Sequence, residues 1–410
     1  MGLAAEIPPD DLPGPAPEVL FARQPLVDVH DHLVGYELFY RGEMPTSPHA
    51  ATSQIAVSAL SELGLDTATA GAPAYLNVTS EFLLEMDPLP FGPDRVVLEL
   101  AAAREPDERL VERVQRLSEH GYQLALDGYA GQPGANQLMP YCAIAKLDAA
   151  SLAPLQMQTI VSFLKGRDVR PVAFGVDTHA LRDICVESGF EIFQGEFIST
   201  PREVTGTVPE ASLGAVRLAA AITQAPDGDV DALESAIALD PALSLRLMRF
   251  VNSAAFSLRH EIRSVRQAIV LLGPRTVRQW ATMLVLSGLG DSRSPLLSTA
   301  LSRGRLCEMA AERLHADDTA SYFFAGMMSI ADALLHMPME AALEDLPLAD
   351  DVVAALLSRE GGKGRALEMA EACERGAWDE VALVSLPANE LAVMHVEALA
   401  WADANLQAVA

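Results

Sequence analysis

The first two hundred residues alternate short apolar runs with amphipathic stretches, and this alternation constrains the fold more than any other feature of the chain. Strand-like runs fall at 19–21 leading into 26–27, then at 34–40, 74–78, 96–100, 123–126, 144–147, 171–176 and 192–193. Helical periodicity occupies 50–63, 106–120, 154–166 and 178–189, with Gly121 and Gly189 as stop signals. Short buried strands separated by helices pair mostly in parallel, with the helices outside. About eight strands in about 180 residues predict a closed β/α barrel, whose functional groups belong at the strand ends.

After Pro201 the pattern becomes helical. Asp240 and Pro241 make a cap and a first-turn residue, and Leu243, Leu247 and Phe250 or Val251 follow as one apolar stripe. Ser264 caps a second helix running to Gly273, and Pro274 opens a third through Trp280. The expected division is a leader over 1–17, an α/β barrel over 18–203 and an all-α domain over 209–402, with a Gly- and Pro-containing boundary at 201–209. A chain of 410 residues agrees with two cores rather than one.

Composition limits the classes of function. Half the residues are hydrophobic and 21% are charged, which suits packed domains rather than disorder. No apolar run reaches the roughly 18 residues that span a bilayer, and residues 1–17 lack the basic and apolar segments of a secretory signal, so a cytoplasmic location is expected. A net charge of −27 argues against general affinity for nucleic acid or anionic membrane. Arginines nevertheless gather at Arg246, Arg249, Arg259, Arg263, Arg266, Arg275 and Arg278. They read as solvated helix faces or as a basic patch for an acidic partner, either a signalling protein or the rest of this same chain. Cys142, Cys185, Cys307 and Cys373 are widely spaced, which points to reduced thiols rather than a zinc knuckle or a disulfide framework.

The polar strand ends carry a resemblance. Phe21-Ala22-Arg23-Gln24-Pro25, followed by Gly35-Tyr36-Glu37-Leu38-Phe39-Tyr40-Arg41, resembles the opening of EAL domains, β/α barrels that hydrolyse cyclic di-GMP with divalent metal. The resemblance places Glu37 at a metal-binding carboxylate, with Tyr36 a departure in the name motif, and Arg41 at a phosphate contact. Asn77 and Glu99 then match further metal ligands, Asp127 the first of a paired aspartate, and Lys146 the lysine near the attacking water. Gln194 matches the closing glutamine motif, and Gln24 and Asp148 join Arg41 and Gln194 as candidate contacts for the dinucleotide. Glu37, Asn77, Glu99 and Asp127 are hard oxygen donors of the kind Mg²⁺ and Mn²⁺ prefer.

Three positions depart from that pattern. Gly128 replaces the second aspartate, Phe174 a glutamate, and Ala102 a loop-anchoring glutamate. On this ground no catalytic residue and no cofactor is expected, with Mg²⁺ or Mn²⁺ only if the remnant site still binds. The surviving polar groups then serve as buried ion pairs, Glu37 with Arg41 or Lys146 being one.

The second half resembles HDOD domains, helical relatives of HD-type phosphohydrolases. The match runs from Ile237-Ala238-Leu239-Asp240-Pro241 through Val251-Asn252-Ser253-Ala254 to Ile262-Arg263-Ser264-Val265 and Leu271-Leu272-Gly273. The helix expected over 324–332 holds Met327, Met328 and Ser329 where a metal-binding histidine would stand, leaving Asp332 without one. His30-Asp31-His32 reads as a hairpin turn, and Gly273-Pro274 as a helix stop and start rather than a DNA-reading turn. The two resemblances together imply a regulator of the EAL–HDOD type. The expectation is a non-catalytic scaffold with a protein partner; the alternatives are a cyclic di-GMP receptor and a weak metal-dependent phosphodiesterase.

Overall fold

The computed structural model describes residues 20–41, 65–102, 106–200, 210–225, 229–251, 262–286, 294–344, 346, 348–377 and 386–409. The helix expected at 50–63 and the boundary at 201–209 lie outside the described residues.

Eight strands close into a barrel in sequence order: β1 Leu20–Asp28, β2 Leu33–Arg41, β3 Ala74–Val78, β4 Val96–Ala101, β5 Gln123–Asp127, β6 Ile144–Asp148, β7 Arg170–Phe174 and β8 Ile192–Phe193. From β2 to β8 every neighbour is parallel, whereas β1 runs antiparallel to both β2 and β8. The two apolar pieces expected around 19–27 are thus one continuous strand, which passes through Pro25 opposite Tyr36. The turn between β1 and β2 contains His30-Asp31-His32. Asp31 takes φ 62°, and the Asp28 carboxylate accepts hydrogen bonds from the amides of His30 and His32. That sequence is a hairpin turn.

The helices α1 Leu65–Thr69, α2 Ser80–Glu85, α3 Glu108–Glu119, α4 Pro154–Lys165 and α5 His179–Glu187 accompany the strands. Asp107 caps α3 through a 2.8 Å bond from the Leu110 amide. Gly121 and Gly189 follow their helices with φ of 88° and 95°, a region open to glycine without a Cβ penalty.

Two apolar layers form the barrel. Outward residues such as Leu76, Leu98, Leu126 and Leu147 meet the helices, while Leu26, Tyr75, Val97, Ala125, Ile144, Val172 and Ile192 fill the lumen. Strand side chains alternate between faces, so positions two residues from this lumen layer also face inward. Those positions are Gln24, Asn77, Glu99, Asp127, Lys146, Phe174 and Gln194, and Glu37 lies opposite Gln24 in the β1–β2 register. The polar strand ends form one storey above an apolar plug.

From residue 210 onward the described residues hold α-helices and no strand. They are α6 Glu210–Gln224, α7 Val230–Ala238, α8 Pro241–Val251, α9 Val265–Leu272, α10 Pro274–Leu286, α11 Leu296–Arg313, α12 Thr319–Met328, α13 Ala331–Leu335, α14 Met339–Leu343, α15 Asp350–Ser358, α16 Gly361–Glu374 and α17 Ala388–Val409. Asp240 and Ser264 cap α8 and α9, and Gly273 turns with φ 89° before Pro274 starts α10. Leu243, Leu247, Val251, Trp280, Met283 and Leu284 are buried in this domain's core. The single helix expected over 324–332 is two, because the chain breaks at Ser329 and Ile330, leaving Asp332 in the first turn of α13. All four cysteines are buried free thiols, and burial raises each of them. No helix among the described residues is long and apolar enough to cross a membrane.

Candidate active site

The inward storey converges on one lysine. Lys146, buried on β6, sets its Nζ 2.6 Å from Glu37 Oε2 and 2.8 Å from Glu99 Oε1. Asn77 Nδ2 donates to Glu37 Oε1 at 2.6 Å, and Gln194 Nε2 donates to Glu37 Oε2 at 2.6 Å and to Gln24 Oε1 at 2.8 Å. Glu37 is thereby held from β3, from β6 and from the residue that follows β8, with Gln24 of β1 bracing that last residue. The sequence-based ion pair of Glu37 is formed with Lys146.

Charge is unevenly balanced here. Glu99 is 0% exposed, and Lys146, 2.8 Å from Oε1, is its one ion-pair partner among the described residues. Burial pushes the Glu99 carboxyl up to about 8 against the pull of Lys146, and Glu37 pushes the same way by repulsion. Burial raises Asp127 as well, with Glu37 adding repulsion to it. Burial opposes the charge on Lys146, but Glu99, Glu37 and Asp127 outweigh it and hold the ammonium protonated. One ammonium among three carboxyl groups leaves this storey short of positive charge.

That deficit and the donor chemistry fit a hard divalent cation. Glu37, Asn77, Glu99 and Asp127 supply three carboxylates and an amide oxygen, and a buried carboxylate lacking donors is stabilised by a cation. As the side chains stand, with Lys146 Nζ against both Glu37 and Glu99, no three acidic, imidazole or thiol groups among the described residues are arranged to hold a metal ion.

The remaining positions fall around this centre. Asp148 ends β6, where its carboxylate accepts from the Ala150 amide and the Ser151 hydroxyl. The Phe174 ring centroid lies 5.7 Å from Lys146 Nζ, so the aromatic face meets the ammonium as a cation–π contact. Gly128 has φ 68° with nothing within 4 Å of where a Cβ would stand, and Ala102 is buried. The side chain of Arg41 lies outside the described residues.

Among the described residues the arginines do not form one open basic face. Arg266 pairs with Asp231 and, at 2.6 Å, Glu234. Arg275 bonds Glu308, Arg246 donates to the Leu284 carbonyl, and Arg278 to the Ala225 carbonyl, while Arg263 is exposed. The side chains of Arg249 and Arg259 lie outside the described residues.

Sequence reading assigned no role to Arg23, Tyr36 or Asp403, which join the barrel to the helical domain. A charged residue buried on the outer face of β1 is the signal that could have found Arg23, and its partner 380 positions away could not be read.

Comparison with known proteins identifies the helical half by family and finds relatives for nearly the whole chain. The HDOD domain profile matches residues 209–346. The cyclic di-GMP phosphodiesterase CdgJ of Vibrio cholerae is 32% identical over 374 residues, covering 88% of this chain and 86% of that protein. The uncharacterized protein YuxH of Bacillus subtilis is 29% identical over 399 residues, covering 93% and 98%. Among solved structures, the PaMucR phosphodiesterase in complex with c-di-GMP aligns at 18% identity with a TM-score of 0.37, over 44% of this chain and 95% of that one. A manganese and cyclic di-GMP complex of Klebsiella pneumoniae BlrP1 aligns at 18% with a TM-score of 0.37, over 45% and 55%.

The likeness to CdgJ overturns the expectation of a non-enzymatic, non-catalytic scaffold, since a relative matching nearly the whole chain is named a phosphodiesterase. The inference from Ala102, Gly128 and Phe174 weighed three absent carboxylates above the hard-donor set that remains around Lys146. With an eight-stranded barrel of EAL type, an HDOD domain behind it and a relative of this identity and coverage, the chain belongs to the EAL–HDOD family.

Proposed function

We propose that this protein is a cyclic di-GMP phosphodiesterase whose barrel, over 18–203, opens the dinucleotide ring and whose helical domain, over 209–402, controls it. The reading is carried by the 32% identity to CdgJ across 88% of the chain. The cluster of Glu37, Asn77, Glu99 and Asp127 around Lys146 supplies the chemistry such a reaction needs.

Hydrolysis adds water across one ester bond to phosphorus, giving a linear dinucleotide with one new phosphate monoester and one freed hydroxyl. Glu37, Asn77, Glu99 and Asp127 would hold a Mg²⁺ or Mn²⁺ ion. When bound, that ion supplies Lewis acidity toward the phosphodiester. Glu99 keeps its proton at neutral pH until a cation displaces it, so loading the site releases a proton. Lys146 presents positive charge toward a phosphoryl group gaining negative charge. Gln194, itself braced by Gln24, fixes the rotamer of Glu37, and Asp148 and Arg41 stand at strand ends where the dinucleotide would contact the chain.

The test is turnover of cyclic di-GMP by the full chain with Mn²⁺, Mg²⁺ or a chelator, with the product followed by chromatography. Linear dinucleotide should form only with a divalent ion, and Glu37→Gln should reduce the rate to that of the chelated sample. No product from well-folded protein at saturating Mn²⁺ would falsify the reading.

A further inference from the structure

The β1–β2 hairpin touches both the barrel site and the helical domain. Inward, Gln24 and Glu37 oppose one another in register and share the Gln194 amide. One residue away, Arg23 and Tyr36 project outward, with the guanidinium carbon 4.3 Å from the ring centroid. Arg23 is 8% exposed. Its Nη1 donates to Asp403 Oδ2 at 2.7 Å and to the Ala68 carbonyl at 3.0 Å. Its Nη2 donates to Asp403 Oδ1 at 3.1 Å and to Ser298 Oγ at 2.9 Å. Ser298 Oγ in turn donates to Asp403 Oδ1 at 2.9 Å.

Asp403 lies on α17 and Ser298 on α11, so the helical domain holds this arginine by a two-pronged, fully satisfied ion pair. Leu399, one turn before Asp403, packs into the barrel's outer core, and Ala22 joins the core of the helical domain. Beside the ion pair is a cavity of about 440 Å³ walled by Arg23, Gln24, Tyr36, Ser298 and Arg303 among others. The joint is thus apolar at Ala22 and Leu399 and hollow beside Arg23, where the guanidinium network is the direct polar tie between β1 and the helical domain.

We infer that Arg23 and Tyr36 are positioning residues for the barrel site: by gripping them through Asp403 and Ser298, the helical domain sets where Gln24 and Glu37 stand. Consecutive strand residues move together, so a shift of Arg23 or Tyr36 carries its inward neighbour with it. A displacement of about 1 Å at a reacting centre costs on the order of 10²-fold in rate. The domain recognised by its HDOD sequence is in this way part of the barrel's catalytic geometry. The inference rests on the phosphodiesterase reading.

The test uses the full chain carrying Ser298→Ala, Asp403→Asn or Asp403→Glu, with three readouts well below the unfolding midpoint: kcat and KM for cyclic di-GMP, Mn²⁺ affinity by calorimetry, and amide hydrogen exchange of β1 and β2. Ser298→Ala removes one bond and leaves the ion pair, which keeps a folded variant available. In it, kcat should fall by about tenfold, as for loss of a supporting contact around a metal site, with weaker Mn²⁺ binding and faster β1–β2 exchange. Asp403→Asn should be worse and Asp403→Glu should recover part of the loss. Unchanged kcat and exchange in folded Ser298→Ala and Asp403→Asn would overturn the inference, as would a kcat loss without any change in β1–β2 exchange. If the unsubstituted protein turns over no cyclic di-GMP, the phosphodiesterase reading fails, while the Mn²⁺ and exchange measurements still decide whether the grip sets the site.

Discussion

Lys146 carries more of the site's electrostatics than any other residue. It pairs with Glu37 at 2.6 Å and stands 2.8 Å from Glu99, both buried, so Lys146→Met leaves the Glu37 carboxylate buried without its cation. Breaking a buried pair by removing one partner costs about 3–5 kcal/mol. Urea unfolding should register a loss of that order without metal, and saturating Mn²⁺ should restore much of it by supplying the missing positive charge. Gly128 raises the converse question. Its position has room for a side chain, and aspartate tolerates positive φ better than most residues. Gly128→Asp with Phe174→Glu should therefore gain a second bound manganese by calorimetry, at a backbone cost of about 1 kcal/mol. No gain in stoichiometry would mean that the strand ends cannot bring a second donor set together.

At the scale of elements, α11 and α12 approach closely where Gly304 faces Gly326. A Cβ on Gly326 would stand 2.5 Å from the Gly304 Cα and 2.7 Å from the Arg303 carbonyl oxygen, both backbone atoms that cannot yield without moving a helix. Gly326→Ala should destabilise the chain by about 1–3 kcal/mol, the usual range for overpacking. It should also disturb Arg303, whose guanidinium pairs with Glu374 at 2.6 Å and bonds Ser329 at 2.8 Å. Thermal unfolding measures the first effect. An unchanged midpoint would show that the helices part at no cost. Caps are more local: Ser264→Ala at the start of α9 removes the acceptor for the Gln267 amide and should cost about 1 kcal/mol.

At the scale of the whole molecule, His395 sits in α17 near Arg23, at the joint between the domains. Burial, with the nearby Arg23 charge adding to it, lowers its pKa from 6.5 to about 3. The folded protein keeps this imidazole neutral, while the unfolded chain takes up a proton below about 6.5. Its contribution is thus fully present above 6.5 and is lost as pH falls toward 3. The unfolding midpoint should drop between pH 7 and pH 5, and His395→Gln should flatten that drop. Acidification also relieves the repulsion of a chain with net charge −27, so the comparison belongs between variants at equal pH. Equal slopes for both proteins would remove His395 from the acid response.

The sequence by itself determined the strand and helix order, because strands of period two and caps such as Asp240 and Ser264 act over a few residues. It also determined the inward polar storey, since Asn77, Glu99, Asp127 and Lys146 each follow an apolar lumen residue by two. Tertiary structure alone decided that β1 runs against its neighbours, that Lys146 takes Glu37, and that Arg23 meets Asp403 across 380 positions. Such pairings depend on where closed strands and packed helices place distant side chains, and no local periodicity encodes that distance. The same reason explains why three missing carboxylates misled the reading of activity: spacing reveals which donors a chain lacks, but the charge balance of those that remain exists only once the barrel has closed.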